Sequence, residues 1–393
     1  MIETTATTEP RPASPARLPS LTGVRGIAAL VVFAIHAYGT VWAVGMSLET
    51  QGRGTRAAVP LVAFFFVLSG FVLVWSQRPT DTTAGFWRRR ALKILPNHVV
   101  AWALCVAFLV GASGTLVTTL PTLFLVQNWL PNIEMNHGTN AVAWSLSVEM
   151  FCYLLFPVLS PLLRRIPAER LWAVIIATTA LIFAVPTVAM FVSGGDPVPT
   201  LGITEVQYWL AFVFPPVRLL EFVLGMLLAL ALRSGRRVPL GIGASALLLL
   251  TSLAAGQFVP AVYAFAAVCA LPLGLFVLAL AAADWQGRFS PVRNRTAVWL
   301  GDISYAIYLT HLTVLLLVVR AFPTEQPRGL LAGLGLVALA LGVCLTLSQM
   351  LYVGVEQPMM RRFAVPTRKS RREQSTVVGG ALPQPAVATE EGR

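Results

Sequence analysis

The chain has 393 residues, of which 56% are hydrophobic and 12% are charged, and its net charge is +12. Soluble domains carry about 25% charged residues, so half that density over this length excludes an ordinary soluble globule. The composition also excludes a disordered chain, a collagen and a disulfide-stapled secreted module. It favours an all-α polytopic membrane protein. The four cysteines lie in apolar runs without paired spacing, which predicts buried free thiols, no metal site and no bound cofactor.

Stretches of about 20 apolar residues bounded by charge, Pro or Gly predict membrane-spanning helices. Ten such spans follow one another: 21–44, 59–77, 96–118, 144–163, 171–193, 207–232, 239–258, 260–283, 297–322 and 329–355. The short apolar stretch 119–130 is predicted to be interfacial or re-entrant. Spans seven and eight are so close together that counts of nine or eleven stay open. The predicted domains are a disordered cytoplasmic tail (1–20), a membrane domain (21–360) and a basic, disordered cytoplasmic tail (361–393).

The distribution of Arg and Lys predicts the orientation, because short loops rich in these residues stay in the cytoplasm. With the N-terminus inside, 23 of the 29 basic residues fall in cytoplasmic segments, 4 in outer segments and 2 within spans. This pattern predicts an even number of spans, both termini in the cytoplasm, and a multi-pass protein of the cell (inner) membrane. The positive charge therefore indicates the lipid bilayer, and not nucleic acid, as its partner.

Ionisable residues within spans are costly and often mark a functional site, and the first span contains two of them. Arg25 and His36 are eleven residues apart, about 20° past three helical turns, so they share one helix face. They lie roughly 16 Å apart along the axis, with Arg25 near the cytoplasmic end and His36 deeper. The structural alternative is a snorkelling arginine and a core histidine with satisfied hydrogen bonds.

Two further spans contain acidic residues. Glu149 lies at the outer end of the fourth span, at a depth similar to that of His36, where a carboxylate can orient an imidazole, accept a proton or pair with an arginine. Arg218 and Glu221 are spaced i, i+3 on the sixth span, so they can pair on one helix face. The favoured interpretation of this second pair is a buried ion pair that fixes helix packing.

A basic run precedes the third span, at residues 86–96, and forms a short amphipathic segment with Arg89, Arg90 and Lys93 on one helical flank. Contact with lipid headgroups is one interpretation of this run. Binding of phosphate is the other, because arginine binds phosphate oxygens in bidentate fashion.

A polar stripe is predicted on the ninth span, where Ser304, Tyr308 and His311 recur at i, i+4 and i+7. Such a stripe indicates a bundle interior or a water-filled cavity.

Together these positions suggest chemistry on a phosphorylated carrier. If Arg25 and the basic run bind phosphates at the inner face, then His36 and Glu149 lie deeper, where the long arm of acyl-coenzyme A would carry its thioester. Imidazole is a suitable general base for a hydroxyl acceptor. A carboxylate can hold that imidazole in the required tautomer.

From about residue 18 to 360, the chain resembles the integral-membrane acyltransferase 3 family of sugar and glycan O-acyltransferases. The family's Arg-x10-His pair falls on Arg25 and His36, its arginine motif on the basic run, and its Trp-Ser-Leu-x-x-Glu motif on residues 144–149. Segments 218–225 and 301–311 also match in character and order.

The resemblance implies ten transmembrane helices, an acyl-CoA donor on the cytoplasmic side and catalysis by His36. It places Arg25 with His36, and Arg89 and Arg90 near the donor. Lys93 stands where the family often has Arg, so its charge is kept but the bidentate fork is lost. The predicted site residues are His36 and Glu149 for catalysis, and Arg25, Arg89, Arg90, Lys93, Tyr308 and His311 for substrate binding.

The implied acceptor is a hydroxyl of a sugar, either in a glycan or in a glycosylated secondary metabolite such as a macrolide. The implied acyl group is acetyl, propionyl or a short branched chain. No esterase-like domain follows the tenth span, which predicts a stand-alone enzyme. The competing hypothesis is a proton-coupled transporter or exporter, because intramembrane His, Glu and Arg also suit proton coupling. Transporters often contain internal repeats, and none is evident in this sequence.

Overall fold

The computed structural model describes residues 18–44, 46–78, 81–110 and 115–364, and most of them are helical. Its helices are α1 (Pro19–Val41), α2 (Leu48–Ser76), α3 (Thr83–Cys105), α4 (Leu116–Leu123), α5 (Ile133–His137), α6 (Trp144–Arg164), α7 (Leu171–Met190), α8 (Glu205–Tyr208), α9 (Pro215–Arg233), α10 (Ile242–Ala255), α11 (Ala261–Ala264), α12 (Ala267–Trp285), α13 (Arg295–Ala321), α14 (Leu330–Leu351) and α15 (Gln357–Phe363). This architecture confirms the all-α fold class.

Several short elements connect these helices. Three π-helical turns, Val106–Val110, Trp209–Val213 and Tyr352–Glu356, extend α3, follow α8 and join α14 to α15. A small antiparallel hairpin pairs β1 (Pro197–Val198) with β2 (Ile203–Thr204). The predicted tails lie outside the described residues except at their inner ends, where α1 begins at Pro19 and α15 ends at Phe363.

Within the described ranges, nine helices are long and apolar enough to cross a membrane. The seventh predicted span, 239–258, forms only α10, which has 14 residues. At 1.5 Å per residue this helix is about 21 Å long, shorter than a hydrocarbon core of about 30 Å. Glycines flank it on both sides, at Gly241 and Gly256, and residue 260 is a proline. An even number of spans requires α10 to cross as well, so the placement of both termini in the cytoplasm stays a prediction.

The basic run is part of a membrane helix and not a separate segment before it. Helix α3 begins at Thr83, where the Thr82 side chain accepts a hydrogen bond from the Gly85 amide. It continues through Pro96 to the π-helical turn. The helix therefore begins thirteen residues before the predicted start of the span, residue 96. As a result Arg90 and Lys93 lie inside the helix bundle, where lipid headgroups are not their only possible partners. The stretch 119–130 contains the end of α4 and a turn in which Leu125 has φ +57°.

Glycines allow the closest helix contacts in the bundle. A Cβ atom at Gly301 of α13 would lie 1.9 Å from the Thr22 carbonyl oxygen of α1, and one at Gly26 would lie 2.5 Å from the Gly301 amide nitrogen. Helices α2 and α9 approach each other in the same way at Gly70 and Gly225. Small residues at such crossings let backbones approach within membranes, where helices gain packing energy rather than hydrophobic burial. The α1–α13 contact sets the geometry of the candidate site.

We expect Gly301→Ala to destabilise the protein by about 1–3 kcal/mol, because the new methyl group would force the α1 and α13 backbones apart. Gly335→Ala is the matched control, since its Cβ atom would meet nothing within 4 Å on α14. The thermal unfolding midpoint of each purified variant in detergent measures the effect. Equal midpoints for the two variants would contradict the close packing of α1 on α13.

Candidate active site

A cavity of about 910 Å³, partly open to solvent, lies between α1, α2, α3, α6 and α13. Apolar side chains of α2 form much of its wall. Six of the residues singled out from the sequence line it, although they come from four helices: Arg25, Arg90, Lys93, Glu149, Ser304 and Tyr308. The bundle therefore collects the predicted polar groups around one space.

Three cations face this cavity. The Arg90 guanidinium lies 5.7 Å from the ring centres of Phe86 and Tyr153, and its buried Nε atom has no hydrogen-bond partner in the described part of the chain. Lys93 lies one helical turn further along α3 and forms no ion pair within 4 Å in that same part. Arg25 reaches the cavity from α1. Clustered cations with free donors form a suitable site for phosphate oxygens.

The structure does not bring Arg89 into the cavity. Its guanidinium donates a 2.8 Å hydrogen bond to the carboxylate of Asp81 in the segment before α3, and both side chains are partly exposed. Consecutive helical residues point about 100° apart, so only one of the adjacent arginines can face the cavity. Arg90 therefore lines the cavity and Arg89 does not, and the predicted role of Arg89 in substrate binding stays a prediction.

Glu149 contributes the carboxylate of the cavity wall. Its Oε1 atom accepts hydrogen bonds from the Ser69 hydroxyl, at 3.1 Å, and from the Tyr153 hydroxyl. The proposed contact between this carboxylate and the His36 imidazole is not present among the described residues. Glu149 is instead fixed by two hydroxyl groups on α2 and α6, and its catalytic role stays a prediction.

The His36 imidazole contacts a second imidazole. The Nε2 atom of His311, on α13, lies 3.3 Å from Nδ1 of His36, and the two ring centres are 5.0 Å apart. His311 is fully buried, and His36 is half-buried. The polar stripe on α13 therefore reaches the Arg25–His36 face of α1, where the sequence alone suggested only a cavity or a bundle interior.

Backbone carbonyl groups set the tautomers of both imidazoles. Nδ1 of His311 lies 2.8 Å from the Tyr308 oxygen, and Nδ1 of His36 lies 2.9 Å from the Val32 oxygen. A carbonyl oxygen only accepts, so each Nδ1 atom carries the proton and each Nε2 atom has a lone pair. The lone pair of His311 faces His36. The lone pair on Nε2 of His36 has no hydrogen-bond partner within the described ranges, which leaves it available as a base.

Tyr308 lies between the cavity and this histidine pair. Its ring centre is 5.8 Å from those of Phe65 and of His311. Its hydroxyl accepts a 2.8 Å hydrogen bond from Ser145 and donates to the Val142 oxygen at 3.2 Å. These bonds fix Tyr308, which lines the cavity and contacts His311, whereas His36 and His311 themselves do not line it.

Arg25 connects α1 to α13 below the histidines. Its Nη2 and Nε atoms donate to the Gly301 oxygen at 2.6 and 3.2 Å, and the Ser304 hydroxyl donates to the same oxygen at 2.7 Å. Arg25 thus faces the cavity while it anchors the helix pair that carries His36 and His311.

The structure contains the expected Arg218–Glu221 ion pair, at 3.2 Å, with both side chains almost fully buried on α9. The Arg218 guanidinium lies 5.5 Å from the ring centre of Phe66. The pair lines a separate small cavity of about 230 Å³ and does not line the cavity that holds Arg90 and Lys93. This location fits a structural role better than a role in substrate binding.

The segment between α5 and α6 packs against the histidine helix. Asn140 Nδ2 donates to the Leu309 oxygen at 3.0 Å, two residues before His311. Just before this segment, at the end of α5, lies His137, whose Nε2 atom is 3.1 Å from the Tyr208 hydroxyl. Burial lowers the pKa of the His137 imidazole, because it disfavours the charged form.

Sequence reasoning missed three residues of the site: Ser69, which binds Glu149, and the Asn97–Glu356 pair behind Lys93. A hydroxyl or a carboxamide inside a span carries little signal, because it can also bind the helix backbone. Glu356 lay just beyond the tenth predicted span. No group of three or more His, Cys, Asp or Glu in the described part of the chain is arranged to hold a metal ion.

Comparison with known proteins adds an independent line of evidence. Residues 18–349 match the acyltransferase 3 family, described as an acyltransferase domain. The chain is 38% identical to the acyltransferase MdmB of Streptomyces mycarofaciens over 358 residues, which cover 88% of this chain and 92% of that protein. No solved structure shows a significant match.

Two more distant relatives are similar over most of the membrane domain. The exopolysaccharide production protein ExoZ of Rhizobium meliloti is 28% identical over 334 residues, 80% of this chain and 93% of that protein. The peptidoglycan O-acetyltransferase OatA of Listeria monocytogenes is 25% identical over 345 residues, 79% of this chain and 51% of that protein. With nine membrane-length apolar helices among its described residues and a family match over most of its length, the chain belongs to the acyltransferase 3 family and is a multi-pass membrane O-acyltransferase.

Proposed function

We propose that this enzyme transfers a short acyl group from acyl-CoA to a hydroxyl group of a sugar-containing acceptor, at the cell membrane. One observation carries the proposal: a half-buried imidazole with a free Nε2 lone pair is held by a second imidazole beside a cavity lined by three cations. Family membership favours this activity over the proton-coupled transporter.

Arg90, Lys93 and Arg25 bind the phosphates of the donor in this scheme. Free guanidinium and ammonium donors suit phosphate oxygens, and the apolar wall formed by α2 suits an uncharged arm and acyl chain. The arm extends along α1 past Phe65 and Tyr308 and brings the thioester to His36. Arg89 does not bind the donor in this scheme, because its guanidinium forms an ion pair with Asp81.

The chemical step uses His36 as a general base. Its Nε2 atom takes the proton of the acceptor hydroxyl as the oxygen attacks the thioester carbonyl carbon. The C–S bond then breaks, the ester forms, and the coenzyme A thiolate takes the proton back from His36. His311 positions the imidazole and supports the positive charge that it carries between these two transfers, while Glu149 and the two hydroxyl groups bound to it shape the wall beside the thioester.

The relatives support a sugar-linked acceptor. One is named for peptidoglycan O-acetylation and another for exopolysaccharide production. The acceptor in this proposal is a sugar in a glycan or in a glycosylated secondary metabolite such as a macrolide.

Removal of the base is the first test. His36→Ala is expected to lower kcat by about 10²–10⁴-fold, the usual contribution of a general base, with the protein still inserted in the membrane. Transfer of a radiolabelled acetyl group from acetyl-CoA to acceptor, with membrane abundance measured in parallel, gives the result. Unchanged turnover in this variant would refute the proposed chemistry.

The second imidazole is tested by His311→Gln. We expect kcat to fall by about 10–100-fold with the donor KM nearly unchanged, because His311 acts on His36 and lines no part of the donor cavity. Steady-state kinetics at varied acetyl-CoA separate these two parameters. A rise in KM at constant kcat would instead place His311 among the donor contacts.

The adjacent arginines provide a matched pair for the phosphate site. Arg90→Gln is expected to raise the donor KM by about tenfold or more, because it removes a charged donor from the cavity. Arg89→Gln, one residue earlier and paired with Asp81, is expected to change KM less than about twofold, as exposed ion pairs usually contribute little. Titration with acetyl-CoA measures both, and the reverse order of effects would show that the cavity is not the donor site.

A further inference from the structure

A buried carboxylate lies behind the cationic wall of the cavity. Glu356 is 6% exposed, whereas Val353, three residues earlier on the same helix, is 50% exposed. Glu356 ends the π-helical turn between α14 and α15. Such a turn contains one extra residue, which rotates the residues after it, and π-turns often occur at functional sites. Here the turn places a carboxylate inside the bundle and not on the lipid-facing side.

A side chain of the donor-binding helix holds this carboxylate. Asn97 Nδ2 donates to Glu356 Oε2 at 3.1 Å, and both residues are buried. Asn97 lies four residues after Lys93 on α3, so the two side chains share one helix face. The second carboxamide atom of Asn97, Oδ1, has no partner in the described part of the chain. Neither Asn97 nor Glu356 lines the cavity, so the pair forms a layer behind Lys93.

The charges around Lys93 come from three helices and from the turn that contains Glu356. Arg25 on α1 and Arg90 on α3 repel the ammonium group, and Glu149 on α6 attracts it. Glu356 also attracts it, and it attracts Arg25 as well, although it forms no salt bridge with either cation among the described residues. Three cations that are brought together for phosphate repel one another, and Glu356, held by Asn97 one helical turn beyond Lys93, is a buried anion that can offset part of that repulsion.

We propose that Glu356 is a positioning residue for the phosphorylated donor, which acts through Lys93 and Arg25 and does not touch the ligand. Its carboxylate, fixed by Asn97, stabilises the clustered cations with their donors directed into the cavity. This inference rests on the proposed function. It adds to that function a second, buried layer for the phosphate site, formed by the π-helical turn that precedes α15.

Three variants test this role. Glu356→Gln retains an oxygen that can accept the Asn97 hydrogen bond and removes only the charge, so we expect the Kd for coenzyme A to rise about tenfold, while kcat at saturating acetyl-CoA changes less than about twofold. Glu356→Asp retains the charge and is expected to recover most of the affinity. Asp302→Asn is the control, because Asp302 is an exposed carboxylate that acts on Glu356 from α13 and lies outside the cavity. We expect it to bind coenzyme A as the wild type does.

A double-mutant cycle separates positioning from packing. Once Lys93 is replaced in Lys93→Met, the further change Glu356→Gln is expected to cost much less affinity for coenzyme A, because the main cation through which it acts is gone. An equal cost in both backgrounds, or a lower kcat with unchanged Kd, would overturn the inference and indicate a packing role. If Glu356→Gln alone does not accumulate in the membrane, the double variant should, since it removes both buried charges, and its failure would also overturn the inference.

The same titrations distinguish the two proposals. If wild-type protein binds no coenzyme A, the proposed donor is wrong and the positioning role of Glu356 is refuted as well. If wild-type protein binds coenzyme A and Glu356→Gln binds it equally well, only the positioning role is refuted.

Discussion

The contact between α1 and α13 is the constraint on which the rest of the site depends. A membrane interior offers little water, so each polar group placed there needs a partner within the protein. Arg25 finds the Gly301 oxygen, and His36 finds His311. Both pairings require backbones as close as the glycines at 26 and 301 allow. One helix interface therefore fixes His36, its partner His311 and one cation of the cavity.

The bundle contains two groups of charged side chains, which differ in how the cost of removing them from water is offset. Arg218 and Glu221 neutralise each other, and the interior tolerates them because neither charge is left alone. Arg25, Arg90 and Lys93 lack such direct carboxylate partners among the described residues, and they face a cavity that is partly open to solvent. Cations with free donors beside a cavity cost free energy of folding. A ligand that supplies the missing anions would offset this cost.

Much of the fold and part of the site could be predicted from the sequence. Apolar runs mark the nine long helices, and fixed helical spacing places Arg25 with His36 and Arg218 with Glu221, since these patterns depend on local geometry alone. The spacing of residues along the chain does not predict contacts between distant segments. Three such contacts depend on how the helices pack: the His36–His311 pair, the Arg89–Asp81 ion pair and the Ser69–Glu149 hydrogen bond. Helix α10 is shorter than its predicted span, and a π-helical turn that sequence periodicity does not reveal directs Glu356 inward.

An experimental structure of the enzyme with a thioether analogue of acetyl-CoA, which cannot transfer its acyl group, tests the central claim most directly. We expect the phosphates to contact Arg90 and Lys93. We also expect a hydroxyl group hydrogen-bonded to His36 Nε2 to fit about 3–3.5 Å from the carbonyl carbon of the analogue, the distance at which reacting atoms meet. His311 should remain bonded to the other nitrogen of that ring. A structure in which the analogue binds away from these cations, or in which His36 Nε2 is turned toward lipid with no path to the thioester, would contradict the account.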